Sequence, residues 1–219
     1  MRTLRIGTRP SPLAVKQVEE VGELLPSVHF EIIKIETEGE RDKTTPISET
    51  EGTSFFTRDI EEALLAGHID AAVHSAKDLE DEMPKELMIA AMTKPISPYD
   101  CLVSSGYKTL ANLAKGARVG TSSRSRKEAL LKYRPDLRAC DVRGTIGERL
   151  ARLDRGELDA LIVAHAALIR LGYEDRIAEI VPAPIMKTHP LQGKLVIQIR
   201  RDRSDLFNLF RGIDEEYKG

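Results

Sequence analysis

Residues 4 to 14 read L-R-I-G-T-R-P-S-P-L-A. Leu4 to Thr8 predicts a short strand, with Leu4 and Ile6 alternating against Arg5. Arg9-Pro10-Ser11-Pro12 then breaks the extended pattern. Ser11 is a residue type that caps helices, and Pro12 suits the first helical position. Leu13, Val18, Val21, Leu24 and Leu25 follow on one helical stripe. A strand, a polar turn and an amphipathic helix in direct succession are the repeating unit of α/β folds.

The alternation continues along the chain. Phe30–Ile35, Ile69–Val73, Leu87–Met92 and Cys101–Ser104 read as strands, and Phe56–Ala66 as a helix ending at Gly67. The polar stretch 37–54 is long for a structureless loop and suggests a functional or partly ordered lid. Further on, Ala117–Gly120, Leu137–Val142, Leu158–Val163 and Lys194–Ile199 predict strands. Helices fit Arg124–Tyr133, Ile146–Leu153, the run reaching Leu171, and a short one opening at Ser204. Proline-bearing segments at Lys94–Tyr99 and Val181–His189 read as linkers. The fold class is therefore α/β, in two hinged lobes with mostly parallel mixed sheets. Residues 1–94 plus 193–219 would form one lobe, with strand 194–199 returning to it, and 98–189 the other. No internal repeat is evident.

Composition narrows the function classes. Lysine and arginine number 33 against 35 acidic residues, so no global basic field exists to hold nucleic acid. Arginines unaccompanied by an aromatic stacking platform argue against single-stranded nucleic acid as well. No stretch reaches the ~18 apolar residues of a membrane span, and the N-terminus runs straight into a strand pattern without a signal core. Cys101 and Cys140 lie apart without metal-ligand spacing, which fits a reducing, cytoplasmic setting and no metal site. The expected partner is a small molecule and the expected state a monomer.

The residues just past each strand carry the chemistry. Strand 4–8 leads to Arg9 and Ser11, and strand 69–73 to Ser75, Lys77 and Asp78. Strand 117–120 leads to Thr121, Ser122, Ser123, Arg124 and Arg126, and strand 137–142 to Arg143 and Arg149. Arg170 stands near the end of the helix after strand 158–163. One arginine at one strand end is ordinary surface charge. Four strand ends with hydroxyls, helix starts and guanidinium groups describe sites for a multiply anionic ligand. Asp78 is the lone carboxylate among them, suited to steady a developing cation or move a proton. His74, Phe55 and Phe56 read as structural residues.

These blocks carry a family resemblance. L-R-I-G-T-R-P-S-P-L-A at 4–14, V-H-S-A-K-D at 73–78, V-G-T-S-S at 119–123, V-R-G-T-I-G-E-R-L at 142–150 and L-I-R-L-G at 168–172 stand in the order and spacing of the hydroxymethylbilane synthase, or porphobilinogen deaminase, family. Gln192-Gly193 matches its glutamine-glycine element. The resemblance, running from Leu4 to about Arg200, implies two lobes like those of a periplasmic binding protein. It also implies a transferase of tetrapyrrole (haem) biosynthesis that joins four porphobilinogen units into a linear tetrapyrrole and releases ammonia. Asp78 would be the catalytic aspartate. Arg9, Ser11, Lys77, Thr121, Ser122, Ser123, Arg126, Arg143, Arg149, Arg170 and Gln192 would bind substrate or cofactor.

The family primes elongation with a dipyrromethane bound to a cysteine of a third domain. That domain is expected to be absent here, and neither Cys101 nor Cys140 matches the attachment site, so the primer would be held without a covalent bond or on an unexpected cysteine. Glu49 and Thr53 stand where the family has lysines, Ser125 where it has an arginine, and Glu80 where it has a proline. The alternatives to the enzyme are a non-catalytic binder of pyrroles or other polycarboxylates, and a subunit needing a partner domain.

Overall fold

The computed structural model of the chain describes residues 2–42, 54–79 and 82–215. Glu49, Thr53 and Glu80 lie outside them. The described residues divide into two compact units: 2–42, 54–79, 82–96 and 194–215 form the first, and 97–193 the second.

In the first unit β1 (Arg2–Thr8) leads into α1 (Pro12–Glu23), then β2 (Val28–Lys34) and the four-residue α2 (Glu38–Arg41). α3 (Arg58–Leu65), β3 (Ala71–Ser75) and β4 (Leu87–Met92) come next. The second unit holds β5 (Asp100–Ser104), β6 (Arg118–Gly120), α4 (Arg124–Tyr133), β7 (Arg138–Cys140), α5 (Ile146–Asp154), β8 (Ala160–Ala164), α6 (His165–Leu171) and β9 (Glu179–Ile180). β10 (Leu195–Arg200) and α7 (Ser204–Phe210) belong to the first unit.

The first sheet has the order β2-β1-β3-β10-β4 and the second β7-β6-β8-β5-β9. β1 pairs in parallel with β2 and β3, while β10 is antiparallel to both its neighbours. β6 likewise pairs in parallel with β7 and β8, and β5 is the antiparallel strand between β8 and β9. In each sheet four strands therefore run one way and one is reversed. The sheets are mixed, the architecture is α/β, and the same plan is built twice.

That duplication corrects the absence of a repeat. Arg5-Ile6-Gly7-Thr8 corresponds to Arg118-Val119-Gly120-Thr121, and Gly67-His68-Ile69-Asp70-Ala71 to Gly156-Glu157-Leu158-Asp159-Ala160. Asp70 accepts from the Arg5 backbone N–H at 2.9 Å, and Arg5 donates to the Gly67 carbonyl at 2.9 Å. Asp159 accepts from the Arg118 N–H at 2.7 Å, and Arg118 donates to the Gly156 carbonyl at 2.8 Å. The paired blocks lie 62 residues apart in one copy and 38 in the other, so no fixed period exposes them.

Each sheet is packed on both faces. Leu4, Ile6, Val18, Val21, Ile197, Leu206 and Phe210 form the core on one face of the first sheet, and Ile60, Leu64, Ile69 and Leu87 form a second cluster beneath α3. The second unit is covered the same way, by a cluster around Leu102, Leu130 and Ile162 and one around Leu153, Leu161 and Leu168. Each such buried side chain contributes about 1.5–3 kcal/mol over its exposed state, which fixes strand register and so where the strand ends point.

Candidate functional site

In the first unit the carboxyl ends of β1 and β3 meet the amino end of β10 at one sheet edge. Leu195 pairs with Ser75 there. Ser11 caps α1 by accepting from the Ala14 N–H at 3.2 Å, with Pro12 at the first helical position. After β3 a single 3-10 turn, Ala76–Asp78, is anchored by the Ala76 N–H donating to the Lys194 carbonyl at 3.0 Å. Turn and helix start enclose a cavity of about 60 Å³, whose lining includes Arg9, Ser11, Gln17, Phe56, His74 and Asp78. Asp78 stands exposed at its rim, and Lys77, in the same turn, is not among the lining residues.

Arg9 is held from two sides. Its Nε donates to Glu40 Oε1 at 2.6 Å, and its guanidinium lies 4.3 Å from the centre of the Phe56 ring. Glu40 belongs to α2, which is fixed in turn: Asp59 of α3 accepts from the Glu38 N–H at 2.9 Å and from Arg41 at 2.7 Å. The start of the long polar stretch is thus ordered structure. Gly39 sits against Phe56, where a Cβ would come within 2.0 Å of the ring.

The cavity floor is polar and buried. His74 and Gln17 of the lining, and Gln198 behind His74, are each less than a tenth exposed. Gln17 donates to Ser75 Oγ at 2.8 Å. His74 Nε2 meets Gln198 Oε1 at 3.2 Å, and Gln198 Nε2 donates to Glu61 Oε1 at 2.8 Å. Burial drives the His74 imidazole down to about 4, so the ring is neutral at ordinary pH.

In the second unit the ends of β6, β7 and β8 share an edge with the start of β5, where Asp100 pairs with Ala164. Asp100 is 2 % exposed and takes a two-pronged bond from Arg126, at 2.6 and 3.0 Å. Gln192 donates to Asp100 at 2.6 Å and accepts from Arg126 at 3.2 Å. Arg126 and Gln192 are therefore tied to each other and to a buried carboxylate. Arg170, in the last turn of α6, donates to the Gly193 carbonyl at 2.8 Å.

The remaining predicted residues lie at strand ends and helix starts. Ser122 Oγ donates to the Val142 carbonyl, and Ser123 meets Ser125 at 3.0 Å. Thr121 Oγ1 is the one buried side-chain polar atom among the described residues without a hydrogen-bond partner. Arg143 follows β7, and Arg149, in the first turns of α5, donates to the Gly144 carbonyl at 2.9 Å. Thr145 caps that helix through a reciprocal pair with Glu148.

The structure brings Arg9, Ser11 and Asp78 to one cavity in the first unit, and Arg126 and Gln192 into one network in the second. Sequence reasoning missed Gln17 and Glu40, and read as structural Phe56, which lines the cavity. Gln17 left a signal, because a lone polar residue stands on the apolar stripe of α1 with Ala14, Val18 and Val21. Among the described residues no group of acidic, histidine and cysteine side chains could hold a metal. No helix among them is long and apolar enough to cross a membrane.

Residues 4–208 match the family described as porphobilinogen deaminase, dipyromethane cofactor binding domain. A porphobilinogen deaminase of Dichelobacter nodosus is 43 % identical over 206 residues, covering 92 % of this chain and 68 % of that one. One from Legionella pneumophila is 38 % identical over 218 residues, covering 98 % and 71 %. Among solved structures, an ABC transporter periplasmic substrate-binding protein from Coxiella burnetii aligns with a TM-score of 0.53 at 17 % identity, over 94 % of this chain and 89 % of that one. That last likeness is one of fold.

Proposed function

The chain belongs to the porphobilinogen deaminase family, and from that membership we propose that it joins four porphobilinogen units head to tail into a linear tetrapyrrole, releasing ammonia at each coupling. It is a transferase of tetrapyrrole biosynthesis, a hydroxymethylbilane synthase. The observation that carries the assignment of residues is that Arg9, Ser11 and Asp78 line one cavity.

Asp78 is the catalytic group. Its carboxylate at the cavity rim faces the pyrrole N–H and stabilises the positive charge left on the ring when ammonia departs. It then assists the proton transfers of coupling. Arg9 binds a substrate carboxylate, its guanidinium oriented by Glu40 and the Phe56 ring. Ser11 and the start of α1 supply hydrogen-bond donors to the same anion. Lys77 in the first unit, and Thr121, Ser122, Ser123, Arg143, Arg149 and Arg170 in the second, are each assigned to bind acetate or propionate groups, Arg126 and Gln192 acting through the network around Asp100.

The family's cofactor is a dipyrromethane. The donor set suits it, since its pyrroles carry carboxylates and the strand ends offer hydroxyls, amides and guanidinium groups, including the unpartnered buried Thr121 Oγ1. When bound, it supplies the free pyrrole carbon from which elongation starts. Thr121, Ser123, Arg143 and Arg149 would hold its carboxylates. Cys101 is unsuited to a thioether: it is fully buried, burial pushes its thiol up to about 12, and Sγ points to the Val163 carbonyl at 3.6 Å. The same proposal takes the protein as a cytoplasmic monomer with a small-molecule substrate and neither nucleic-acid nor membrane partner. Its two free cysteines suit a reducing compartment.

Purified protein incubated with porphobilinogen, with and without a linear pyrrole primer, tests the activity. Ammonia and linear tetrapyrrole should accumulate together. Saturable binding with no ammonia under either condition would replace the enzyme with a pyrrole-binding protein.

A further inference from the structure

Three buried polar side chains lie in series beneath the cavity: Glu61 on α3, Gln198 on β10 and His74 on β3. They come from segments far apart in sequence and are 8 %, 0 % and 5 % exposed. The register explains the meeting. Gln198 pairs with Ala72 and Val196 with His74, so Gln198 and His74 are diagonal neighbours on one sheet face. That face is otherwise apolar, with Ile60, Leu64, Ile69 and Leu87. Polar groups in such a place are costly unless their hydrogen bonds are complete.

The chain of bonds has a direction. The Gln198 amide turns its NH2 toward Glu61 Oε1, which accepts. Its carbonyl oxygen then faces His74, and only a protonated Nε2 can satisfy it. We propose that Glu61, Gln198 and His74 form a buried relay that locks His74 as the neutral, Nε2-protonated tautomer in the cavity floor, making it a positioning residue for the chemistry at Asp78. This rests on the catalytic assignment of Asp78.

The consequence is electrostatic. The charged groups acting on the ring include Asp78 from the turn after β3 and Arg9 from the turn after β1, with the Glu61 carboxyl of α3 beyond Gln198. A charged imidazolium would pair with Asp78 and repel Arg9, so it would compete with the substrate for both. A ring held neutral, its proton committed to Gln198, leaves the Asp78 charge to the cation that forms on the pyrrole and the Arg9 charge to the substrate carboxylate.

Two-bond ¹H–¹⁵N spectra of protein labelled at its five histidines read the tautomer directly, with His74 identified by the signal lost in His74→Gln. The expected pattern is a protonated Nε2 and a bare Nδ1, unchanged between about pH 8 and about pH 5. Titration of His74 within that range, or a proton on Nδ1, would overturn the proposal. Gln198→Leu should mix the tautomers and lower kcat about tenfold or more while KM for porphobilinogen moves less than about twofold. Wild-type kcat in a folded Gln198→Leu protein would also overturn it. Should that variant not fold, the wild-type spectrum still decides. A wild-type protein without turnover would count against the enzymatic assignment alone, because the spectrum needs no substrate.

Discussion

Gly193 has φ +83, and a Cβ there would stand 2.2 Å from the Ser97 carbonyl oxygen. Both the left-handed backbone and the contact with main chain exclude a side chain. Gly193→Ala should therefore destabilise the protein by about 3 kcal/mol, measured as the shift in a urea unfolding curve. Arg9 makes a different case. Arg9→Lys keeps the charge but loses the planar contact with Phe56 and the bond from Nε to Glu40. It should raise KM for porphobilinogen about tenfold, read in steady-state kinetics. At this scale Arg9, Ser11 and Asp78 were legible because each stands just after a recognisable strand. Glu40 and Phe56 were not, since their place beside Arg9 depends on how α2 docks against α3. Nor was the partner of Arg126, because Asp100 is 26 residues upstream and nothing local joins them.

Elements were legible to within a few residues, and the differences have causes. The strand expected at 69–73 runs Ala71–Ser75, because Asp70 is occupied in bracing Arg5 while the β10 ladder continues to Ser75. The strand expected at 158–163 shifts to Ala160–Ala164 for the same reason, with Asp159 bracing Arg118. β9 has two residues, too few for any periodicity to show. The cap of α5 was present in the sequence as Thr145 followed three positions later by Glu148. Thr145→Ala removes the acceptor for the Glu148 N–H and should cost about 1 kcal/mol, seen as a lower Tm. β10 was readable as a strand of the first lobe, but its reversed direction depends on pairing with β3 and β4 alone.

Across the whole molecule, alternation of strands and helices sufficed for the α/β class, and each unit realises it with one reversed strand. The charge on the molecule also shapes its response to acid. Arg118 holds the Asp159 carboxyl below its usual value, so that stabilisation persists until pH falls below about 3.8. His74 acts earlier. Burial sets its folded value at about 4, below the 6.5 of an exposed histidine, so the unfolded chain takes up the proton first. Stability from this group is complete above pH 6.5 and is lost toward pH 4 at up to about 1.4 kcal/mol per pH unit. Urea unfolding across that range should show the slope in the wild type and a flatter one in His74→Gln. The central claim is that Asp78, which shares a cavity of the first unit with Arg9 and Ser11, carries the chemistry. The rate of ammonia release from porphobilinogen by Asp78→Asn, compared with wild type at matched circular dichroism, tests it most directly. A fall of about a hundredfold or more is predicted, and a folded Asp78→Asn protein that releases ammonia at the wild-type rate would contradict it.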